Sequence, residues 1–267
     1  MSALTFGLEL RRSRLVAFWL AVIVLAYGAT IAAMYPILEE NSKLLEDYLK
    51  ILPKELMAAF GMSGNLTDPG VFFSTYIGSF LWPVIAAMGA IILATRPVAA
   101  DVERGWTEIT LGTPLTRTRS LAASIAAQAA VLAVLALAAP AGVLIGGVIV
   151  GAGFEAAPFL ASSVVFWLFA CAIEGVTSVV AALTLSRGVA AGVAAGLLLA
   201  MYLMNIVAEL QADLAWVADF GWFKYLTVTE LIDNGAVPWT SIAVFGAVAL
   251  GGWIAALVVF ARRDLLA

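Results

Sequence analysis

The most unusual side chain in the sequence is an acid that stands alone inside an apolar run. Glu174 lies in the run FWLFACAIEGVTSVV, and at about 1.5 Å per helical residue it is roughly 20 Å from Arg187, near the middle of a membrane. An ionised carboxylate there costs about 2.5 kcal/mol or more, so Glu174 must be protonated, paired or turned towards a cavity. Gln128 and Asn205, on neighbouring apolar runs, are candidate partners. Two interpretations stay open: a substrate or proton site in a cavity, and a hydrogen bond that holds helices together.

A second group of polar side chains lies in the longest polar interruption between two apolar runs. This segment, residues 96–119, reads RPVAADVERGWTEITLGTPLTRTR and holds four of the ten arginines. Its acids Asp101, Glu103 and Glu108 favour the N-terminal half of a helix, because the helix dipole makes that end positive. Pro114 would end such a helix, since it lacks an N–H and clashes with the preceding turn. The sequence therefore predicts a short rigid helix outside the membrane.

This predicted helix carries the residues of a docking surface. Trp106 is a large rigid side chain of the kind that anchors protein interfaces, and Gly105 beside it allows close approach. We expect a soluble partner to bind here. A solvated charged face is the alternative, with Arg117 and Arg119 serving only as anchors beside the membrane.

The residues that are missing exclude several kinds of chemistry. The sequence has no histidine, which removes His-dependent catalytic triads, most zinc sites and haem ligation by His. None of the four lysines follows a glycine, so the phosphate-binding loop of P-loop ATPases is absent. The single cysteine, Cys171, excludes an internal disulfide. An intramembrane enzyme would need clustered carboxylates or a nucleophile–base pair, and Glu174 stands alone.

The elements that carry these residues are predicted to be membrane-spanning helices. Of the 267 residues, 63% are hydrophobic and 12% are charged, and the mean hydropathy is +1.04. A soluble domain carries about 25% charged residues, whereas apolar runs of about 20 residues cross a membrane. We predict an all-α integral membrane protein with one domain over residues 1–267 and no internal repeat. Its six spans cover residues 15–35, 71–95, 121–150, 159–185, 189–210 and 241–261.

The charges predict which side each polar segment faces. The polar segments alternate between the two sides of the membrane. All ten arginines fall on the segments of one side, and all four lysines fall on the other side, in the outer segments 36–70 and 211–239. Cytoplasmic segments carry the excess of positive charge, so both termini and segment 96–119 are predicted to be cytoplasmic. The sequence also predicts a short interfacial helix within residues 1–14, an amphipathic outer helix near residues 44–52, and short interfacial helices in 211–239.

Two prolines fall within predicted spans. Pro83 in the second span predicts a kink, because a buried proline removes a backbone donor from the helix. Pro140 in the third span predicts a bend in a helix that is long enough to tilt.

The polar segments resemble those of a known family. Residues 103–117, ERGWTEITLGTPLTR, resemble the pattern E-x-x-G-[TS]-x-[ED]-x-L-L-x-x-P-[VL]-[ST]-R that follows the second span in permease subunits of type-2 ATP-binding-cassette (ABC-2) exporters. The departures are one residue rather than two before Gly105, Trp106 where Thr or Ser is usual, and Thr110 where Leu is usual. Residues 216–235 resemble, more loosely, the aromatic-rich segment before the last span of this family. The order of inner and outer segments agrees over essentially the whole chain.

The resemblance implies a permease subunit of an ATP-driven exporter in a bacterial or archaeal plasma membrane. In that family the charged inner segment is a coupling helix seated in a groove of a separate nucleotide-binding subunit. The residues that match this role are Glu103, Gly105, Trp106, Glu108, Pro114 and Arg117. Two permease chains, identical or homologous, would pair with two such subunits, which hold ATP and Mg²⁺; this chain is expected to bind no cofactor or metal. The family's substrates are hydrophobic or amphipathic molecules such as drugs, antibiotics and lipids.

Two other functions compete with this interpretation. A proton-coupled secondary transporter that uses Glu174 would show paired inverted repeats and broken helices, which the sequence does not reveal. A membrane protein with an assembly or regulatory role and no transport activity is compatible with the same six spans.

Overall fold

The structure, a computed structural model, describes residues 3–43, 47, 51–53, 57, 68–101 and 116–263. This part of the chain is helical and contains no strand. Six of its helices are long and apolar enough to cross a membrane, which confirms the predicted all-α membrane fold. The helices are α1 (Ala3–Glu40), α2 (Pro69–Ala100), α3 (Arg117–Val150), α4 (Ala156–Thr184), α5 (Arg187–Leu210), the short α6 (Thr229–Asn234) and α7 (Trp239–Arg262).

The first span begins earlier than predicted. The interfacial helix predicted within residues 1–14 is not a separate element, because α1 runs without a break from Ala3 to Glu40. The basic turn near its start fits within one helix: Arg12 pairs with Glu9 one turn away at 3.2 Å, and Ser13 is buried. The amphipathic helix predicted near residues 44–52 lies mostly outside the described residues.

Helix α2 is the irregular element of the bundle. It passes through α-helix at Pro69–Phe73, π-helix at Ser74–Leu81, α-helix at Trp82–Thr95 and π-helix at Arg96–Ala100. Pro83 has no backbone N–H to give to the turn before it. The wide turn closes instead through the N–H of Trp82, which donates to the carbonyl oxygen of Ile77, five residues back. The helix type thus changes directly before Pro83, while the kink predicted there stays a prediction. Pro140, by contrast, lies inside α3 without interrupting it.

Small residues bring α1 and α3 into backbone contact. A Cβ atom placed on Gly142 would lie 2.3 Å from the carbonyl oxygen of Leu25, and one on Gly146 would lie 2.3 Å from that of Ala29. The two contacts are four residues apart on both helices, which is the spacing that permits close helix packing in membranes. No side chain fits this seam unless a backbone moves.

Helix α4 lies at the centre of the bundle. In its most apolar stretch 67% of the residues are buried, against 17% in the corresponding stretches of α5 and α7. A Cβ atom on Gly252 of α7 would lie 2.6 Å from the carbonyl carbon of Gly175 of α4. Towards α2, Phe166 stacks on Trp82 and Phe73, with ring centroids 5.2 and 5.7 Å apart. Helix α4 is therefore the support against which α2 and α7 pack.

The two ends of the bundle differ in composition. At one end, which we call the arginine end, the last turns of α2, α4 and α7 meet the first turn of α3. A buried apolar cluster that includes Val98, Leu121, Ala182 and Phe260 joins them. The opposite end, which we call the loop end, carries residues 211–238 between α5 and α7.

The loop end contains the short helices that the sequence predicts there. Two 3₁₀ stretches, Ala212–Phe220 and Phe223–Tyr225, precede α6. Helix α6 contacts the start of α2: the carboxylate of Asp233 accepts a 2.7 Å hydrogen bond from the N–H of Gly70. The hydroxyl of Thr229 lies 2.8 Å from that of Ser74. The outer segment is therefore attached to the first turns of α2.

Gly142 provides a test of the contact between α1 and α3. Alanine in place of glycine inside a helix normally stabilises it by about 0.5–1 kcal/mol. We predict that Gly142→Ala instead destabilises the protein by about 1–3 kcal/mol, because the new Cβ overpacks the seam against the backbone of Leu25. The measurement is the melting temperature of the purified protein in a mild detergent.

The matched control is Gly192→Ala on α5, where a Cβ atom meets nothing within 4 Å. This variant should melt at or above the wild-type temperature. A Gly142→Ala protein as stable as the control would contradict the backbone contact.

Candidate functional site

Helix α1 holds the end of α2 at the point where the charged segment begins. The guanidinium of Arg12 donates to both carboxylate oxygens of Asp101, at 3.0 and 3.2 Å, and to Glu9 at 3.2 Å. Earlier in α2, Arg96 donates to the carbonyl oxygen of Arg12 at 3.2 Å. A two-point contact between guanidinium and carboxylate fixes orientation as well as distance. The end of α2 is therefore positioned by α1.

The other flank of the charged segment is also anchored. The side-chain oxygen of Thr116 caps α3 by accepting a hydrogen bond from the N–H of Arg119 at 3.4 Å. Arg117 donates to the carbonyl oxygen of Arg263, just after α7, at 2.8 Å. Arg263 in turn donates to the carbonyl oxygen of Leu183 near the end of α4. Both described flanks of the segment thus contact other helices.

Most of the residues predicted to couple the chain to a partner are not described. Arg117 is the exception, and it is engaged as above. The others are Glu103, Gly105, Trp106, Glu108 and Pro114, which lie outside the described residues. Their role stays a prediction.

A polar cleft opens between α2 and α5 towards the loop end. Its volume of about 440 Å³ falls within the range of small-molecule sites. Its hydroxyl and amide side chains are Ser74, Thr75, Ser79, Tyr202, Asn205, Thr227 and Thr229. The first three belong to the π-helical stretch of α2, and π-helical turns are frequent at functional sites. The irregular part of α2 is therefore one wall of this cleft.

A smaller apolar cavity of about 280 Å³ adjoins the polar cleft. Its lining residues on α2 and α5 include Pro83, Val84, Ala87, Leu198 and Leu199. Ser79, Tyr202 and Phe223 line both spaces and so mark the junction between them. The two spaces together form an amphipathic pocket that is polar towards the loop end and apolar towards the middle of the helices.

Two charged side chains line the polar cleft, and they differ in their partners. Lys224 pairs with Asp219, and that hydrogen-bonded carboxylate raises the pKa of Lys224, so the amine stays cationic at neutral pH. Glu209, near the end of α5, accepts a 3.0 Å hydrogen bond from the amide of Asn205. Within the described part of the chain, Glu209 has no cationic partner.

Glu174 is completely buried between α4 and α7, and its partners are not the predicted ones. Ser178 donates to one carboxylate oxygen at 2.9 Å, and the indole N–H of Trp253 donates to the other. Gln128 instead donates to a backbone carbonyl of α2 at 2.9 Å, and Asn205 donates to an acid of the cleft. The predicted pairing of Glu174 with Gln128 or Asn205 is therefore wrong.

Of the three residues predicted for a substrate cavity, only Asn205 lines the cleft. Glu174 and Gln128 are buried in the helix core. The bond from Trp253 crosses from α7 to α4, which supports the interpretation of Glu174 as a link between helices. The sequence contains one signal for this link: on each helix the polar residue adjoins a glycine of the close crossing, Gly175 or Gly252.

The hydroxyl wall of the cleft was missed in the sequence. The signal available is a group of hydroxyl residues, Ser74, Thr75 and Ser79, in an otherwise apolar run shortly before Pro83. Each is individually ordinary in a membrane helix, because a hydroxyl can bond to its own helix. Only the helix type and rotation show that they face one space.

Together, the six span-length helices and the cleft between two of them define a polytopic membrane protein. The family model described as ABC-2 family transporter protein matches residues 6–265, nearly the whole chain. The chain belongs to the ABC-2 transporter family, which confirms the resemblance noted at residues 103–117. Such a chain is a membrane transport subunit that associates with an ATP-binding subunit and is not catalytic by itself. No curated protein matches the chain.

The hydrogen bonds of Glu174 predict different effects for two substitutions. Glu174→Gln keeps an oxygen for the indole N–H of Trp253 and gains an amide that can donate to Ser178. Glu174→Leu removes both acceptors, and a buried donor left without a partner costs about 1–3 kcal/mol. We expect the Leu variant to melt at a clearly lower temperature in detergent, while the Gln variant stays near wild type. Equal losses in both variants would show that these hydrogen bonds do not hold α4 to α7.

Proposed function

We propose that the chain is the permease subunit of an ATP-driven exporter for a hydrophobic or amphipathic molecule, such as a drug, an antibiotic or a lipid. It would move this molecule out of the cytoplasm or the inner leaflet of a bacterial or archaeal plasma membrane. Two permease chains, identical or homologous, would bind two copies of a nucleotide-binding subunit that holds ATP and Mg²⁺. Family membership supports the ATPase partner.

The arginine end is proposed to face the cytoplasm. Every arginine of the described residues belongs to a segment at that end, whereas Lys43 and Lys224 belong to segments at the loop end. Ten arginines against four lysines satisfy the positive-inside rule in this orientation. The coupling segment then meets the soluble ATPase, and the polar cleft lies towards the outer side.

The observation that carries the proposal is that α2 joins the two candidate sites. Its π-helical stretch Ser74–Leu81 lines the polar cleft, and its other end at Asp101 leads into the coupling segment. From Ser79 to Asp101 the helix extends about 33 Å at about 1.5 Å per residue, close to the thickness of the apolar membrane core. A displacement of the coupling segment therefore reaches the cleft through one helix.

The proposed mechanism assigns a part to each coupling residue. Trp106 anchors the segment in a groove of the ATPase, Gly105 lets the backbones approach, and Glu103 and Glu108 supply charge at the contact. Pro114 ends the helix, so the segment is pushed as a short rigid body. When ATP draws the two ATPase subunits together, the segments move and α2 moves with them.

The hydrogen bonds of Arg12 and Arg117 determine which helices move when the coupling segment is displaced. Arg12 links the end of α2 to α1, so the two helices are displaced together. Arg117 links the start of α3 to the end of α7. Helix α5 takes part in neither of these two contacts, and its most apolar stretch is 17% buried against 65% for α2, which permits the cleft to change width. An amphipathic cargo suits a pocket that is polar at one end and apolar at the other.

The coupling role is tested by Trp106→Ala and Glu108→Arg. The chain would be co-purified with the ATP-binding subunit that associates with it and reconstituted in vesicles. We expect both variants to insert and fold but to lose at least about tenfold in ATP-driven efflux of a fluorescent amphipathic dye, because docking anchors contribute on the order of 2 kcal/mol. The controls are Trp216→Ala and Glu230→Arg, exposed positions at the loop end.

Efflux and stimulated ATP hydrolysis that stay at wild-type levels in both coupling variants would refute the assignment. A failure of any ATP-binding subunit to co-purify with the wild-type chain would refute the exporter proposal itself.

The ion pair between α1 and α2 is tested by a double-mutant cycle on Arg12→Ala and Asp101→Ala. We expect each single change to lower ATP-driven efflux about two- to fivefold, the range of a partly exposed ion pair. The double variant should be no worse than Arg12→Ala alone, because that change already removes the contact with Asp101 together with the one to Glu9. Arg11→Ala, an exposed neighbour, should leave efflux unchanged. Losses that multiply in the double variant would show that the two residues do not act as a pair.

A further inference from the structure

The wall that α5 contributes to the pocket changes from apolar to acidic along one stripe. Leu198, Tyr202, Asn205 and Glu209 all line the pocket, and their spacing of four, three and four residues places them on one helix face. The stripe begins with an aliphatic side chain in the apolar cavity and ends with a carboxylate in the polar cleft. An elongated ligand lying along α5 would meet these groups in that order.

Among the described residues, the acid at the end of this stripe is the cleft charge that has no ion-pair partner. Lys224 is held by Asp219, so its charge is already compensated. Glu209 receives only the neutral amide of Asn205 among the described residues. A carboxylate bonded to a single amide keeps lone pairs available for a further donor or a cation. The net charge left for a ligand in the cleft is therefore negative.

Two aromatic rings stand between this acid and the apolar cavity. Tyr202 and Phe223 line both spaces, and their ring centroids are 5.2 Å apart with the planes at 63°. The faces of such rings attract cations, and paired rings are a common means of recognising quaternary ammonium groups. The carboxylate and the aromatic pair thus favour the same sign of ligand charge at the same place.

We propose that this pocket binds amphiphiles with an alkylammonium or quaternary ammonium head. The head lies between Glu209 and the rings of Tyr202 and Phe223, and the apolar tail enters the cavity lined by Val84 and Leu198. This inference deepens the proposed function, because it names the chemical class that the exporter would carry. An anionic head would meet the charge of Glu209 and find Lys224 already paired. A neutral sugar head would use the hydroxyl groups but gain nothing from Glu209.

The test measures binding to the purified chain alone, in nanodiscs of zwitterionic lipid without an ATPase. The probe is radiolabelled decyltrimethylammonium, measured by equilibrium dialysis with subtraction of empty nanodiscs. Decyl maltoside and decyl phosphate, which have the same tail with a neutral and an anionic head, serve as competitors. The variants are Glu209→Gln, which keeps an oxygen for Asn205, and Phe223→Leu, which keeps an apolar side chain. Glu230→Gln, an exposed acid outside the pocket, is the matched control.

We expect saturable binding of the cation to the wild-type chain. Glu209→Gln should weaken it about tenfold and Phe223→Leu about threefold, whereas Glu230→Gln should leave it unchanged. Both uncharged and anionic competitors should displace the cation at least about tenfold less well than the unlabelled cation does. The proposal is overturned if wild-type binding does not saturate, if Glu209→Gln binds like wild type, or if either competitor matches the cation.

The outcomes separate this proposal from the exporter proposal. Binding requires no ATPase, so a negative binding result leaves the coupling role of Trp106 to its own test. If the chain binds the cation but its efflux does not depend on Trp106, the pocket proposal stands and the coupling mechanism is refuted.

Discussion

The lack of water in the apolar core of a membrane is a constraint that most buried polar groups of the described structure satisfy, the side-chain oxygens of Gln128 and Ser163 being exceptions. Backbone and side-chain polar groups there must find partners within the protein. Thr95 and Thr177 donate to carbonyl oxygens of their own helices, at 2.8 and 2.7 Å. The indole groups of Trp82 and Trp167 donate across to backbone carbonyls of neighbouring helices, at 3.2 and 2.9 Å. Against this background, the irregular backbone of α2 is placed where it lines a polar space.

The same constraint explains why two pairs of helices are in close backbone contact, whereas the pocket lies between two others. With little hydrophobic drive between helices in lipid, close packing of small residues holds them together. Such contacts join α1 to α3 at Gly142 and Gly146, and α4 to α7 at Gly175 and Gly252. Glycines at 188, 192 and 196 of α5 have no comparable neighbour within the described structure. The pocket therefore lies between the irregular helix and a helix without such close glycine contacts in the described structure.

The sequence predicts the helices well because length and hydropathy alone determine which runs can cross a membrane. It also identifies segment 103–117 and hence the family, since that pattern is local. It does not predict the cleft, because the facing of Ser79 and Tyr202 depends on helix rotation and on the π-helical turns. The same limit explains the error at Glu174: its donor, Trp253, lies 79 residues away, and only the crossing of α4 and α7 brings them together.

The central claim is that α2 carries movement from the coupling segment to the pocket. The most direct test is double electron–electron resonance between spin labels at Val84 on α2 and Leu199 on α5, with the buried Cys171 replaced by alanine. Both labelled positions are exposed in the apolar cavity, at 51% and 58%. In the complex with its ATPase, the distance distribution between the labels should shift by several ångström between the nucleotide-free and ATP-bound states. Identical distributions in both states, in a complex that hydrolyses ATP and transports, would contradict the claim.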